Sequence, residues 1–225
     1  MTSTESYNLW AENHHHALQW SFPRSGTNWI SCMVSRLCGY KICYLGLGRP
    51  IESDCVYCVT HGTTEYSFFP HVKYIVLIRD PRDSILSNLH WLDRHDGWCG
   101  VNHVPDIVEH YCQVITARIY RGPIMGYNPL IIQFERMCLN PEVELQKICD
   151  FVGCEPMMSF EETVSIAEPN HRYDGWERYI RHCLKWQRDN RITDAQVELI
   201  WDMLGLWMQR FGYMERGHSE ELLGI

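Results

Sequence analysis

The sequence predicts an α/β fold in three layers, a parallel sheet covered by helices on both faces. Short apolar runs alternate with longer segments of helical period, and strands buried on both faces are apolar in this way. A chain of 225 residues with 45% hydrophobic content is long enough to bury one sizeable core. No repeat, low-complexity tract or linker divides it, so one domain over residues 1–225 is expected, with ordered signals from about Ala17 to Tyr213. The last dozen residues read as a frayed tail.

Strands are expected at 17–22 (ALQWSF), 55–60 (CVYCVT), 73–78 (KYIVLI) and 130–134 (LIIQF). Ile30, Met33, Val34 and Leu37 form an i, i+3, i+4, i+7 stripe and predict a helix directly after the first strand. Asp80-Pro81-Arg82-Asp83 reads as a helix start, with Asp80 as N-cap, Pro81 at the first helical position and Asp83 at the positive end of the dipole. Asn140-Pro141 opens a helix over 141–152 in the same way. Thr193 and Gln196 pair as a capping box, and Val197, Ile200, Leu204, Trp207, Met208 and Phe211 give the last long helix an apolar face. Residues 94–104 have no period and read as a mobile loop over a site.

A net charge of −8 gives no global electrostatic reason to bind nucleic acid or an anionic membrane, though it leaves room for a local basic pocket. The first fifteen residues are polar and no run reaches membrane-spanning length, so the expected location is cytoplasmic. His14, His15 and His16 read as part of a solvated start. Eleven scattered cysteines suit a reducing compartment, where thiols pack as small apolar groups. Cys55, Cys58 and His61 have zinc-ligand character, but no second Cys/His pair follows at finger spacing and no metal is expected.

The stretch Pro23-Arg24-Ser25-Gly26-Thr27-Asn28-Trp29 joins the first strand to its helix. Such a turn gathers backbone N–H groups at one point, and Gly26 lets the backbone approach a ligand closely. Arg24 adds a charge able to make two parallel hydrogen bonds, while Ser25, Thr27 and Asn28 add short polar donors, so a phosphate or sulfate fits. A glycine turn with a solvated arginine is the plainer reading of so short a motif. In Tyr74–Trp91 an apolar strand ends in Arg79 and a capped helix carries Ser87 on its second turn, where both can grip a second anion at the strand C-termini.

These two segments together resemble the sulfotransferases that use 3′-phosphoadenosine 5′-phosphosulfate (PAPS). Residues 23–29 are similar to the family's 5′-phosphosulfate loop, and Arg79-Asp-Pro-Arg-Asp with Ser87 is similar to its 3′-phosphate motif. Val59-Thr-His-Gly-Thr resembles the segment that carries the catalytic histidine, and Ile131–Met137 resembles the Tyr-Glu-Asp strand end, together spanning most of 17–213. The glycine-rich segment that closes over the 3′-phosphate is not recognisable before Trp186; Arg178, Arg181 and Lys185 stand in its place.

The resemblance implies a P-loop-NTPase-like architecture and transfer of a sulfuryl group from PAPS to a hydroxyl or amine of a small molecule, leaving 3′-phosphoadenosine 5′-phosphate (PAP). It implies His61 as base, Arg24 as stabiliser of the shifting charge, Trp29 as the face for adenine, and Arg79, Ser87 and Arg181 at the 3′-phosphate. Without the resemblance, Trp29 reads equally as core filling, His61 as a strand-end polar residue and Arg82 as a solvated helix charge. Phe134 reads as packing and Glu135 as a structural acceptor, while Trp91, Trp98, Tyr173 and Trp176 line either an acceptor pocket or the core. A nucleotide-binding protein without transfer activity is the rival reading, because Val59 replaces the family's lysine. A kinase-like enzyme comes third, as GxxxxGK[ST] is missing.

Overall fold

The computed structural model describes residues 11–12, 17–44, 57–60, 69–95, 104–115, 126, 128–167 and 175–223. Five parallel strands, β1 (Ala17–Ser21), β2 (Ile42–Tyr44), β3 (Tyr57–Thr60), β4 (Lys73–Ile78) and β5 (Leu130–Gln133), form a sheet in the order β2-β3-β1-β4-β5. From β1 the chain turns to one side for β2 and β3, then to the other for β4 and β5. The C-terminal end of β1 therefore lies where the winding reverses, the usual position of a ligand crevice in such sheets.

The helices are α1 (Thr27–Cys38), α2 (Pro81–His95), α3 (Val104–Ile115), α4 (Phe134–Leu139), α5 (Pro141–Val152), α6 (Phe160–Ala167), α7 (Gly175–His182), α8 (Asp194–Arg210) and α9 (Glu220–Leu223). Alternation along β4 divides the core between them. Tyr74, Val76 and Ile78 face a cluster with Ile85, Leu86 and Leu89 of α2, Val108 and Tyr111 of α3, and Ile200, Leu204 and Met208 of α8. Ile75 and Leu77 face Ile30, Met33, Val34 and Leu37 of α1, Met137 of α4, Leu145 and Ile148 of α5, and Tyr179 of α7. This is the expected three-layer arrangement, with the α1 stripe buried as its spacing requires.

Two of the three expected helix starts are capped as read. Asp80 accepts from Arg82 N at 3.0 Å at the start of α2, and Thr193 and Gln196 close a reciprocal box on α8. Pro141 opens α5, although Asn140 makes no side-chain cap there.

Three expectations need correction. The sequence predicts no strand at β2, whose three residues are half-buried or exposed and carry no alternation. The segment read as a frayed tail is folded: β6 (Tyr213–Met214) and β7 (Gly217–His218) pair antiparallel, and α9 follows with Leu222 buried. Finally, two cysteines expected to pack as thiols are joined, Cys38 at the end of α1 and Cys154 after α5, with Cα atoms 5.9 Å apart. They lie 116 residues apart, a pairing that only the fold creates. Among the described residues no helix is long and apolar enough to cross a membrane.

Candidate active site

β1 ends at Ser21, and the chain reaches α1 through a turn that places Arg24 at φ 68° and Gly26 at φ 86°. No side chain caps α1, so its first N–H groups face the crevice with the positive end of the helix dipole. A Cβ on Gly26 would lie 2.4 Å from Cδ2 of Phe134, so glycine is required for space as well as for backbone conformation. The left-handed Arg24 is strained, and strain of this kind persists only where neighbours fix it. Arg79 is that neighbour, its Nη1 donating to the Arg24 carbonyl at 2.9 Å.

Around the turn, the Ser21 and Thr27 hydroxyls meet at 2.6 Å and the Ser25 and Ser84 hydroxyls at 3.4 Å, tying the loop to β1 and α2. Ser25 and Thr27 are buried, whereas Arg24 and Asn28 are exposed and Gly26 is half-buried. Arg24 Nε donates to Ser87 Oγ at 3.3 Å. The two motifs read from the sequence thus converge, Ser87 of the second being held by Arg24 of the first.

Arg79 lies beneath the loop, 4% exposed. Its Nη2 donates to the His182 carbonyl at 2.6 Å, capping α7, and its guanidinium stands 4.4 Å over the Phe134 ring. Its Nε is buried with no hydrogen-bond partner. Burial works against the Arg79 charge, but Asp83 and further groups around it outweigh that effect and raise its pKa. Lys185, just beyond α7, moves the other way: burial and then the Arg79 charge lower its pKa. A half-buried lysine lowered first by burial and then by a neighbouring arginine lies in local positive potential within a protein of net negative charge.

Trp29, half-buried, lies nearly parallel to His182 with centroids 6.4 Å apart and edge-on to Phe134 at 5.6 Å. Its Nε1 is buried without a hydrogen-bond partner. Arg181 is exposed on the last turn of α7, next to the carbonyl that Arg79 caps. His61 lies outside the described residues, as do Trp98, Tyr173 and Cys55. Of Cys58 and Trp176 only the backbone is described, in β3 and α7, while Trp91 is exposed on α2.

Behind the crevice lies a buried polar network that fixes the start of α2. Arg82, read as a possible surface charge, is fully buried: Nε and Nη2 clasp both oxygens of Asp80 at 2.9 and 2.8 Å, and Nη1 donates to the Glu215 carbonyl at 2.7 Å. The β6–β7 hairpin, folding back from the end of the chain, buries it. His218 Nε2 lies 3.0 Å from Asp80 Oδ2, and its Nδ1 meets the Tyr179 hydroxyl. Burial pushes the Asp80 carboxyl up, yet Arg82 and His218 hold it well below its usual range. Glu135 is the structural acceptor expected, receiving Asp80 N at 2.8 Å and the Tyr213 hydroxyl at 2.9 Å. Burial raises its pKa.

Sequence reasoning missed Ser84 and His182. Ser84 sits one turn into a helix already assigned its cap, and His182 meets Trp29 across the fold without any local pattern.

The geometry is that of an anion-binding crevice at strand C-termini, with an aromatic face beside it. The sulfotransferase domain family matches residues 56–212, more than half of the chain. No curated protein matches by sequence. Among solved structures, mouse sulfotransferase SULT7A1 complexed with PAP superposes with a TM-score of 0.59 at 17% identity, covering 93% of this chain and 91% of that one. The sulfotransferase domain of the curacin biosynthetic pathway gives 0.54 at 13% identity over 88% and 98%. The sulfotransferase domain of the Synechococcus PCC 7002 olefin synthase gives 0.54 at 16% identity over 88% and 94%. The solved structures share the fold, and the family match extends from β3 through α8: the chain belongs to the sulfotransferase family.

Proposed function

We propose that the protein transfers a sulfuryl group from PAPS to a hydroxyl or amine of a small-molecule acceptor, with PAP as product and no metal required. The observation that carries this reading is the uncapped start of α1, entered through Gly26 and flanked by Arg24 and Ser87. The N–H groups of residues 26–28, with the Ser25, Thr27 and Asn28 side chains around them, would hold the 5′-phosphosulfate, while Ser25 N donates to the Phe22 carbonyl at 3.3 Å and shapes the turn. The Arg24–Ser87 bond is exposed and long, so both groups exchange it readily for phosphate oxygens. Trp29 offers its face to adenine. The Arg79 Nε without a partner, Ser87 and Arg181 serve the 3′-phosphate.

PAPS supplies the sulfuryl group when bound. Arg24 and the loop N–H groups then stabilise negative charge as it shifts toward the departing phosphate, a preorganised electrostatic role. His61 takes the acceptor's proton. A long polyanionic sugar is a poorer acceptor than a small molecule, since no basic stripe runs along the sequence.

The test has two steps. Calorimetry with PAP, without metal, is expected to give specific binding, and radiolabelled PAPS is expected to sulfate at least one compound in a mixed hydroxyl and amine panel. Binding without transfer would instead support a nucleotide-binding protein of the same fold. Preference for ATP with magnesium over PAP would support a kinase-like enzyme.

A further inference from the structure

At the end of α1 farthest from the loop, three sulfurs from two parts of the chain lie together. Cys38 is bonded to Cys154, and Cys149 Sγ stands 3.9 Å from Cys38 Sγ, all three sulfurs lying within 4.8 Å of one another. The backbone builds this cluster. Gly153 N and Cys154 N both donate to the Cys149 carbonyl, at 2.7 and 3.1 Å, curling the chain at the end of α5 so that Cys154 returns beside Cys149. Met157 N donates to the Leu37 carbonyl at 2.7 Å, which docks the segment after α5 on the end of α1.

We propose that Cys38, Cys149 and Cys154 form a thiol–disulfide exchange site, in which the bond from Cys38 passes between Cys154 and Cys149 and Cys154 is the sulfur presented to small soluble thiols and disulfides. The Cys149 thiol first gives up its proton to water that reaches the cluster from the side of the half-buried Cys154. Its thiolate then attacks Cys38 Sγ, a Cys149–Cys38 bond forms, the Cys38–Cys154 bond breaks, and the electron pair leaves on Cys154, which takes a proton from water. One disulfide replaces another, so no external oxidant or reductant is consumed.

Chain entropy does not choose between the two bonds, because they span 116 and 111 residues and loop closure depends only weakly on length. Their surroundings do. Cys38 and Cys149 are buried, while Cys154 is half-buried and is the partner that solvent reaches. Burial pushes the Cys149 thiol up to about 11, and the Asp150 and Glu155 carboxylates add to the rise while a backbone hydrogen bond opposes it. Tyr40 also feels the charge of this thiol, and Lys73 Nζ lies beside Gly153 at the same corner. Attack by Cys149 is therefore slow at neutral pH, and the Cys38–Cys154 bond persists there once formed. With the bond on Cys149, the segment from Cys154 to Met157 keeps its hydrogen bond to α1 but loses its covalent tie.

The protein would be oxidised in a glutathione redox buffer at pH 7 or 9, acid-quenched, labelled with N-ethylmaleimide and mapped without reduction. Cleavage before Asp150 separates Cys149 from Cys154. Wild type is expected to yield both Cys38–Cys154 and Cys38–Cys149 peptides, with Cys154 labelled in one-to-one proportion to the second. Cys154→Ser is expected to yield Cys38–Cys149, and Cys149→Ser only Cys38–Cys154. Wild type that shows Cys38–Cys154 alone at both pH values overturns the proposal, as does Cys154→Ser that leaves Cys38 and Cys149 as thiols in buffer that oxidises wild type. Retention of one equivalent of zinc by the reduced protein through desalting would make the cluster a metal centre and overturn it as well.

Discussion

Arg79 holds the backbone of Arg24, its Nη1 donating at 2.9 Å to the carbonyl of a residue at φ 68°. The residue read from the sequence as a 3′-phosphate ligand thus fixes the loop proposed for the 5′-phosphosulfate. A lysine there keeps the charge but cannot reach both the Arg24 and His182 carbonyls in a fork. Arg79→Lys is expected to weaken PAP by about 1.5–3 kcal/mol and adenosine 5′-phosphosulfate, which lacks the 3′-phosphate, by less. Calorimetry with both ligands checks this. Equal losses would leave Arg79 only its hold on the loop, and no loss would remove both roles.

Gly26 and Phe134 are in steric balance. Gly26→Ala adds a Cβ that meets the Phe134 ring at 2.4 Å, on a backbone at φ 86°. The ring cannot retreat freely, since Arg79 and Trp29 pack on it. The combined cost is roughly 2–4 kcal/mol of stability. Phe134→Leu in the same chain is expected to recover the steric share and leave the backbone share. Urea denaturation of the two single variants and the double variant measures the coupling; strict additivity would rule it out.

His218 links stability to pH through Asp80. Burial lowers the His218 pKa, but the hydrogen bond and charge of Asp80 prevail and leave it raised. A raised histidine pKa contributes stability that is present below the unfolded value, about 6.5, and is lost as pH rises through the folded value. The depressed Asp80 works at the other end, its contribution being lost only in strong acid. His218→Gln is therefore expected to cost about 1.5–3 kcal/mol near pH 6 and progressively less toward pH 9. Thermal unfolding across that range tests it, and a pH-independent difference would mean that His218 acts by packing alone.

The fold was legible wherever information is local. Asp80, Pro81 and Asp83 announce α2 within four residues, and Ile30 to Leu37 announce the buried face of α1. The loop was legible for the same reason, with Arg24, Ser25 and Gly26 contiguous in the chain. What escaped depends on long-range closure. Arg82 is a buried anchor only because Glu215, 133 residues later, folds back onto it. Nothing near Trp29 announces His182, and nothing near Cys38 announces Cys154.

Arg24 is expected to matter more to turnover than to ground-state binding. It is exposed beside an uncapped helix start, where the proposed transfer would move negative charge toward the leaving phosphate. Arg24→Ala is expected to lower kcat and kcat/KM together. A normal kcat with only a raised KM would assign it to uniform binding.

His61 follows β3, which ends at Thr60 beside the C-terminal end of β1. An acceptor hydroxyl is scarcely ionised near neutral pH, and a neutral imidazole, with an ordinary pKa of about 6.5, is matched to removing its proton. A positioned base contributes on the order of 10²–10⁴-fold in rate. His61→Ala is therefore expected to keep its affinity for PAP, because His61 belongs to neither phosphate motif, and to lose transfer to a hydroxyl by about that factor. The two measurements are expected to diverge. If both fall together, His61 supports the nucleotide site rather than the acceptor. If a folded variant transfers at the wild-type rate, the base lies elsewhere, and His90 on α2, 3.0 Å from Asp189, and His95 at the end of the same helix are the next to replace.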